Sequence, residues 1–228
     1  MGVFSRFVLG VKKALVTACI IVFSVCGVDV PKHLSNPGTG IGYRLVRYIF
    51  KNNNAANERL INLLAFPDSG KAIEIGFGVG DTLKYALANT NPKIKFFGFE
   101  LSESMLKDAQ HNIGSSDRVE LAQRDCAEKG LPFSDNEIDV VYHANVIYFV
   151  PDPVKFLEDT YRVLKPGGKL GMSIAQPAEL KHMGPTSPFR NKFTEDQIKT
   201  LCSQVGFSTI QVEGFEDAME RMLVIATK

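Results

Sequence analysis

The chain has 228 residues, of which 26 are lysine or arginine and 25 are aspartate or glutamate, so its formal net charge is close to zero. This length is enough for one large domain with a full hydrophobic core, so folding needs neither a structural metal nor a disulfide framework. The balanced charge gives no general attraction to nucleic acid, and a hydrophobic content of 45% argues against a disordered chain. The four cysteines lack the paired spacing of a zinc site, so no metal site is expected.

The amino terminus differs from the rest of the chain in charge and hydropathy. Residues 1–28 contain three basic residues and no acidic one, and residues 14–28 carry no charge at all. Fifteen residues are fewer than the roughly 20 that cross a bilayer as a helix. Three interpretations stay open for residues 1–30: a signal peptide, a membrane anchor, and an apolar helix packed on the fold. We expect a cytoplasmic protein with peripheral or anchored membrane association through residues 14–28.

A region rich in structure-breaking residues follows, and short helices come after it. Glycine and proline predict a loop over residues 31–42. Apolar residues at helical spacing predict one helix over 43–50 and a second helix that ends before Pro67. We interpret residues 31–70 as a helical cap on the acceptor side of a domain formed by residues 71–228.

Strand and helix patterns alternate from residue 71 to the carboxyl terminus. Short apolar runs predict buried strands, and amphipathic runs between them predict helices. Such alternation is typical of a doubly wound α/β fold, in which helices cover both faces of a parallel sheet. Three prolines within residues 176–192 predict a long loop that would form a lid or an acceptor pocket. The predicted strands are 71–75, 94–99, 118–121, 138–142, 168–174, 208–213 and 221–227, and the predicted helices are 80–89, 103–111, 153–164 and 194–205.

A glycine-rich turn follows the first of these strands. Gly76, Gly78 and Gly80 alternate directly after the apolar run that contains Glu74. Glycine lets the backbone turn tightly and approach a ligand closely, and in a doubly wound sheet this turn borders the ligand crevice. Glu100 ends the next strand, where a carboxylate can bind both hydroxyls of a ribose. The pattern predicts a ligand that contains adenosine.

Acidic residues beside the turn distinguish between adenosine ligands. A dinucleotide fingerprint requires a glycine where this chain has Asp81. The carboxylate of Glu74 disfavours a pyrophosphate but suits a ligand that carries an ammonium and a sulfonium group. S-adenosylmethionine has both groups, so it is the predicted cofactor. A nicotinamide-dependent oxidoreductase is the less favoured alternative.

Five stretches between residues 71 and 175 resemble, in order and spacing, the motifs of class I S-adenosylmethionine-dependent methyltransferases, and the type-11 subgroup matches best. The resemblance implies a Rossmann-like, mostly parallel sheet of seven strands with an N-terminal helical extension. It says little about the methyl acceptor. The stretches are the E-x-G-x-G-x-G turn, E-L-S-E-S-M-L from residue 100, D-C-A-E and L-P-F from residue 125, residues 133–148, and R-V-L-K-P-G-G from residue 162.

The resemblance also implies a role for each residue of the cofactor site. Glu74 would hold the ammonium end of the cofactor, and Glu100 would bind the ribose. Asp125 would accept a hydrogen bond from the adenine amino group, and His143 would approach the methionine part. His143 stands where the family often has serine, asparagine or alanine, which leaves its role open. The other implied contacts are Gly76, Gly78, Gly80, Leu101, Met105 and Cys126. Asn145 lies on the turn after the strand predicted over 138–142, where we expect it to contact the cofactor or the acceptor.

Methyl transfer from a sulfonium has a good leaving group, so alignment of the reactants supplies much of the rate. His143 and Tyr148 are the predicted catalytic residues, with His143 as general base where the acceptor needs one. The alternative is that His143 forms part of the cofactor wall. The predicted activity is methyl transfer to a small molecule or lipid, and a catalytically silent cofactor-binding protein is the alternative. No nucleic-acid partner is expected.

Overall fold

A computed structural model describes residues 54–180, 191–216 and 220–228. The described strands form one seven-stranded sheet in the order β3-β2-β1-β4-β5-β7-β6. The strands are β1 (Gly70–Ile75), β2 (Ile94–Glu100), β3 (Val119–Gln123), β4 (Ile138–Ala144), β5 (Leu164–Ala175), β6 (Thr209–Glu216) and β7 (Glu220–Thr227). The helices are α1 (Asn54–Leu63), α2 (Asp81–Asn89), α3 (Glu103–Ile113), α4 (Cys126–Lys129), α5 (Pro153–Val163), α6 (Pro177–Leu180) and α7 (Glu195–Val205).

The sheet is mixed, because one strand runs against the others. Strands β1 to β5 pair in parallel, whereas β7 is antiparallel to both of its neighbours, β5 and β6. The predicted seven-stranded, mostly parallel sheet is therefore confirmed. Strand β1 lies between β2 and β4, so the chain reverses its direction of travel across the sheet there. In open α/β sheets, ligands bind at such a switch point, beyond the carboxyl ends of the strands.

The predicted helices and strands of the described region agree with the structure, apart from differences at their ends and two short helices. Helix α4 begins after Asp125, whose side chain caps it. Helix α6 replaces the first part of the loop predicted over 176–192, so that prediction is wrong for Pro177–Leu180. Proline is tolerated as a first helical residue, because its missing N–H would have no partner there.

Several sequence predictions lie outside the described residues. They are the apolar segment 14–28, the loop 31–42, the helix over 43–50 and positions 181–190 of the predicted loop. Within the described ranges, no helix has both the length and the apolar character needed to cross a membrane.

Alternate residues of the strands pack into two hydrophobic cores, one on each face of the sheet. Ile73 and Val141 face the core that includes residues of α5 and α7. Ala72 and Tyr142, their neighbours in sequence, face the core that includes residues of α1 and α2. Successive side chains of a strand point to opposite faces, so β1 and β4 contribute to both cores. The cores hold the carboxyl ends of β1, β2 and β4 side by side.

The opposite, amino edge of the sheet carries ionic and polar contacts. Lys165 Nζ lies 2.7 and 2.8 Å from the two carboxylate oxygens of Asp139. The backbone N–H of Lys71 donates to Asp139 Oδ2 at 2.8 Å. Lys228 Nζ donates to Asn136 Oδ1 at 2.8 Å, which attaches the end of the chain to the turn before β4. These contacts connect the starts of β1, β4 and β5 at the edge away from the ligand crevice.

Candidate active site

The glycine turn between β1 and α2 has the left-handed backbone that its sequence predicts. Gly76, Gly78 and Gly80 have φ values of +68°, +57° and +82°. A Cβ at Gly76 would lie 2.5 Å from Val146 Cγ2, and one at Gly80 would lie 2.9 Å from Ile113 Cδ1. A Cβ at Gly78 would meet nothing within 4 Å among the described residues. Gly76 and Gly80 therefore allow close packing of the turn, whereas Gly78 borders open space that a ligand can enter.

Glu100, at the carboxyl end of β2, is held against this turn. Its Oε2 accepts from the backbone N–H of Gly78 at 2.9 Å, and its Oε1 accepts from that of Ser102 at 3.0 Å. Burial raises the pKa of Glu100, and backbone hydrogen bonds from Ser102, Gly78 and Leu101 oppose that rise. An ionised carboxylate has about four acceptor sites, so these backbone donors leave acceptor capacity for a ribose hydroxyl. The chemistry of this residue fits the adenosine part of S-adenosylmethionine.

Glu74 is buried on the face of the sheet that packs against α1 and α2. Tyr142, beside it on β4, donates from its hydroxyl to Glu74 Oε2 at 3.1 Å. Burial raises the pKa of Glu74 to about 8, although the bond from Tyr142 acts in the opposite direction. A cation placed nearby would favour the ionised form of this carboxyl group. The expectation that Glu74 holds the cofactor ammonium stays a prediction.

The predicted adenine contacts lie at the starts of α3 and α4. Asp125 Oδ1 accepts from the backbone N–H of Ala127 at 3.0 Å and from that of Glu128 at 3.1 Å, so one carboxylate oxygen caps α4. The other oxygen makes no hydrogen bond within the described ranges, which leaves it available to an amino group. Burial raises the pKa of the Cys126 thiol to about 12, so this residue is a neutral wall rather than a nucleophile. Met105 is buried and Leu101 is half-buried at the start of α3.

His143 lies within β4 and is completely buried. Its ring packs against Phe156 of α5, with 5.7 Å between the ring centroids. Burial lowers the pKa of His143 to about 3, so the imidazole is neutral near pH 7. Neither ring nitrogen has a hydrogen-bond partner in the part of the chain that the structure describes. This environment favours the wall interpretation over a general base, and the catalytic assignment stays a prediction.

Tyr148, the second predicted catalytic residue, belongs to a polar cluster beyond the carboxyl ends of β4 and β5. Its hydroxyl accepts from the backbone N–H of Ala175 and lies 3.5 Å from Asn145 Oδ1. Arg221 Nη1 donates to the same Asn145 oxygen at 2.8 Å. Burial raises the pKa of Tyr148 to about 12, with Arg221 opposing the rise. The phenol is therefore a poor base near neutral pH, and the catalytic assignment of Tyr148 stays a prediction.

The sequence prediction did not include Arg221. This arginine is fully buried and joins the cluster from β7, which starts 75 residues after Asn145. A contact over that separation leaves no local pattern in the sequence. The one available signal is a charged residue next to the apolar run M-L-V-I-A, at a position where a strand was predicted.

Residues 73–172 match the model of the type-11 methyltransferase domain family. The match runs from β1, which leads into the glycine turn, to β5, and it includes Glu100. Residues 73–172 form a class I S-adenosylmethionine-dependent methyltransferase domain. Its cofactor is S-adenosylmethionine, and the Gly78–Glu100 arrangement fits that cofactor.

Two known proteins are similar to this methyltransferase in sequence, and one solved structure is similar to it in fold. It is 29% identical over 201 residues to demethylmenaquinone methyltransferase of Staphylococcus carnosus, which covers 76% of this chain and 82% of that protein. It is 25% identical over 155 residues to arsenite methyltransferase of Halobacterium salinarum, which covers 65% of this chain and 40% of that protein. The fold resembles Haemonchus contortus phosphoethanolamine N-methyltransferase 2 in complex with S-adenosyl-L-methionine, with a TM-score of 0.64 and 19% identity. That likeness covers 76% of this chain and 52% of the other.

Proposed function

We propose that this methyltransferase transfers a methyl group to a small-molecule or lipid acceptor at the carboxyl edge of its sheet. The Gly78–Glu100 contact carries the proposal. It holds a carboxylate beside open space at the topological switch point of the sheet, which is where ligands bind in open α/β folds. When bound, the cofactor would supply an electrophilic methyl group on a sulfonium: an acceptor lone pair forms a bond to the methyl carbon while the carbon–sulfur bond breaks, and a neutral thioether leaves. The protein's own task is to hold and align the two molecules and to exclude water.

The names of the relatives support a small acceptor. One relative is named for arsenite and another for demethylmenaquinone, so the two act on very different small molecules. The near-zero net charge of this chain gives no long-range attraction for a nucleic acid. We therefore favour a small, uncharged or modestly charged acceptor over a macromolecule.

The predicted catalytic side chains favour an acceptor that needs little help with proton removal. The pKa of His143 is lowered to about 3 and that of Tyr148 is raised to about 12, in both cases chiefly by burial. Neither group has the near-neutral pKa that an efficient general base requires. An acceptor atom with a free lone pair, or an oxygen that ionises readily in water, fits this environment.

The cofactor part of the proposal is tested by calorimetry with S-adenosylhomocysteine on the wild type and on Glu100→Ala. We expect the variant to bind at least about tenfold more weakly, because it loses charge-assisted hydrogen bonds to the ribose. Glu103→Ala is the matched control, since Glu103 is exposed and pairs with Lys107 on the surface of α3. Circular dichroism verifies that each variant is folded. Absence of binding heat for the wild type at millimolar cofactor would refute the proposal.

The acceptor part is tested with the full chain, a cell extract and S-adenosylmethionine that carries an isotopically labelled methyl group. Mass spectrometry then identifies any small molecule or lipid that gains the label. Tight cofactor binding without a labelled product in any extract would favour the catalytically silent alternative.

A further inference from the structure

The side-chain amide of Asn145 has only one orientation that its neighbours allow. Arg221 Nη1 lies 2.8 Å from Asn145 Oδ1, and a guanidinium donates hydrogen bonds but cannot accept them. Rotation of the amide by half a turn would bring its NH2 group against another donor. The oxygen of the amide therefore faces Arg221, and the NH2 group faces the other way.

Tyr148 strengthens this orientation through the use of its own proton. Its hydroxyl oxygen accepts from the backbone N–H of Ala175, and its hydroxyl donates towards Asn145 Oδ1, with 3.5 Å between the two oxygens. Both neighbours are themselves fixed, because Arg221 and Tyr148 are almost completely buried. Donation from a guanidinium also polarises the amide, which makes its NH2 group a better donor.

The backbone places Asn145 beside the cofactor turn. Asn145 has a φ of +59° directly after β4, and its side chain is only partly buried. The next residue, Val146, packs at the point where a Cβ of Gly76 would lie, so the two turns are in close contact. Within the described ranges, Asn145 Nδ2 makes no hydrogen bond. This donor has no hydrogen-bond partner among the described residues and faces away from Arg221, and Asn145 itself lies next to the crevice between the ends of β1 and β4.

We propose that Asn145 donates from Nδ2 to a negatively charged oxygen of a bound small molecule, and that Arg221 and Tyr148 are positioning residues that fix its amide. The inference rests on the proposed function, since it places that oxygen next to the cofactor turn. Two molecules present such an oxygen there: the cofactor, through its carboxylate, and an acceptor, through an ionised hydroxyl. The ammonium of the cofactor is excluded as the partner, because it also only donates.

The decisive variant is Asn145→Asp. Aspartate has nearly the same shape, accepts a positive φ, and keeps an oxygen towards Arg221. It replaces the donor that faces the crevice with an acceptor of negative charge. Asn136→Asp is the matched control, because Asn136 also has a positive φ, +57°, and its Oδ1 also accepts from a cation, Lys228, at 2.8 Å. Asn136 lies at the opposite end of β4.

Calorimetry on the full chain separates the two sources of the oxygen. If the partner is the cofactor carboxylate, Asn145→Asp weakens S-adenosylhomocysteine binding by about tenfold or more. It does not change the binding of 5′-methylthioadenosine, because that nucleoside lacks the carboxylate. If the partner is the acceptor, binding of both nucleosides is unchanged, and binding of 1,4-dihydroxynaphthalene to the S-adenosylhomocysteine complex weakens by about tenfold or more. This probe is titrated without oxygen, because it oxidises readily.

The positioning role is tested at Arg221. Arg221→Met should weaken binding of the same ligand that Asn145→Asp binds more weakly, because the Asn145 amide can then rotate. Arg221→Lys should bind that ligand more tightly than Arg221→Met, because lysine still donates a hydrogen bond. A purely structural role would instead give the same binding for both folded variants.

The proposal is overturned if Asn145→Asp weakens neither S-adenosylhomocysteine binding nor 1,4-dihydroxynaphthalene binding by more than Asn136→Asp does. It is also overturned if S-adenosylhomocysteine binding is unchanged and the naphthalene probe does not bind the wild type. The proposed function fails separately, through absence of S-adenosylhomocysteine binding by the wild type.

Discussion

Replacement of Glu74 by glutamine tests how burial controls the charge of the cofactor site. Glu74 lies beneath the glycine turn, and its ordinary pKa of 4.5 is raised to about 8, mainly because burial penalises the charged form. Glutamine keeps the shape and can still accept from the Tyr142 hydroxyl, but it cannot ionise. The difference in stability between the two proteins therefore isolates the ionisation of one carboxyl group.

The sign follows from the direction of the pKa shift. Between about pH 4.5 and about pH 8 the folded state of the wild type holds a proton that the unfolded state has lost, so its free energy of unfolding falls as the pH rises through this window. A pKa shift of this size lowers the free energy of unfolding of the wild type by roughly 5 kcal/mol at most above the window. The glutamine variant cannot ionise, so its free energy of unfolding does not fall in this way. We expect similar stabilities near pH 4.5 and a clearly more stable Glu74→Gln variant at about pH 9.

The assay is urea unfolding of both proteins across this pH range, followed by circular dichroism. Glu103→Gln is the control, because the pKa of exposed Glu103 is lowered by its hydrogen bond from Lys107 and its ionisation lies below the window. Parallel stability curves for the wild type and Glu74→Gln would contradict the buried, proton-holding carboxyl group. If Glu74 also holds the cofactor ammonium, binding of S-adenosylhomocysteine below about pH 8 should release a proton, which calorimetry in buffers of different ionisation enthalpy detects.

Two further predictions concern packing around the crevice. Gly80→Ala should lower the free energy of unfolding by about 2–3 kcal/mol, because the new methyl group would meet Ile113 at 2.9 Å and φ is +82°. A free energy of unfolding of Gly80→Ala equal to that of the wild type in urea unfolding would disprove the packing argument. His143→Leu should raise stability by about 1 kcal/mol, because it removes a buried imidazole whose nitrogens have no partner in the described ranges. The pH profile of methyl transfer should keep its shape in that variant, and loss of a near-neutral limb would identify His143 as the base.

The parts of the site that depend on neighbouring residues in sequence could be predicted well. An apolar run followed by alternating glycines predicts a strand, a left-handed turn and a helix, because only glycine adopts those φ values freely. The position of Glu100 at the next strand end follows from the period of the pattern, and its contact with Gly78 agrees with that placement.

The parts that depend on contacts between distant strands could not be predicted from local patterns. The apolar run of β7 predicts a buried strand but does not encode its antiparallel direction, which depends on the connection from β6. Arg221 reaches Asn145 only because β7 lies beside β5, and the resulting orientation of the Asn145 amide has no signal in either segment. The low pKa of His143 likewise depends on burial by α5, which no pattern within β4 shows.

The contacts at the amino edge of the sheet have a consequence for protein engineering. Asp139 there binds the ammonium of Lys165 and the backbone of Lys71, and these partners lie at the far end of the strands from the crevice. Randomisation of the residues that follow β4 and β5 would leave this edge untouched, so a library aimed at new acceptors can start from a scaffold whose strand ends stay joined. Stabilising substitutions can be collected separately around Asp139, at the edge of the sheet away from the crevice.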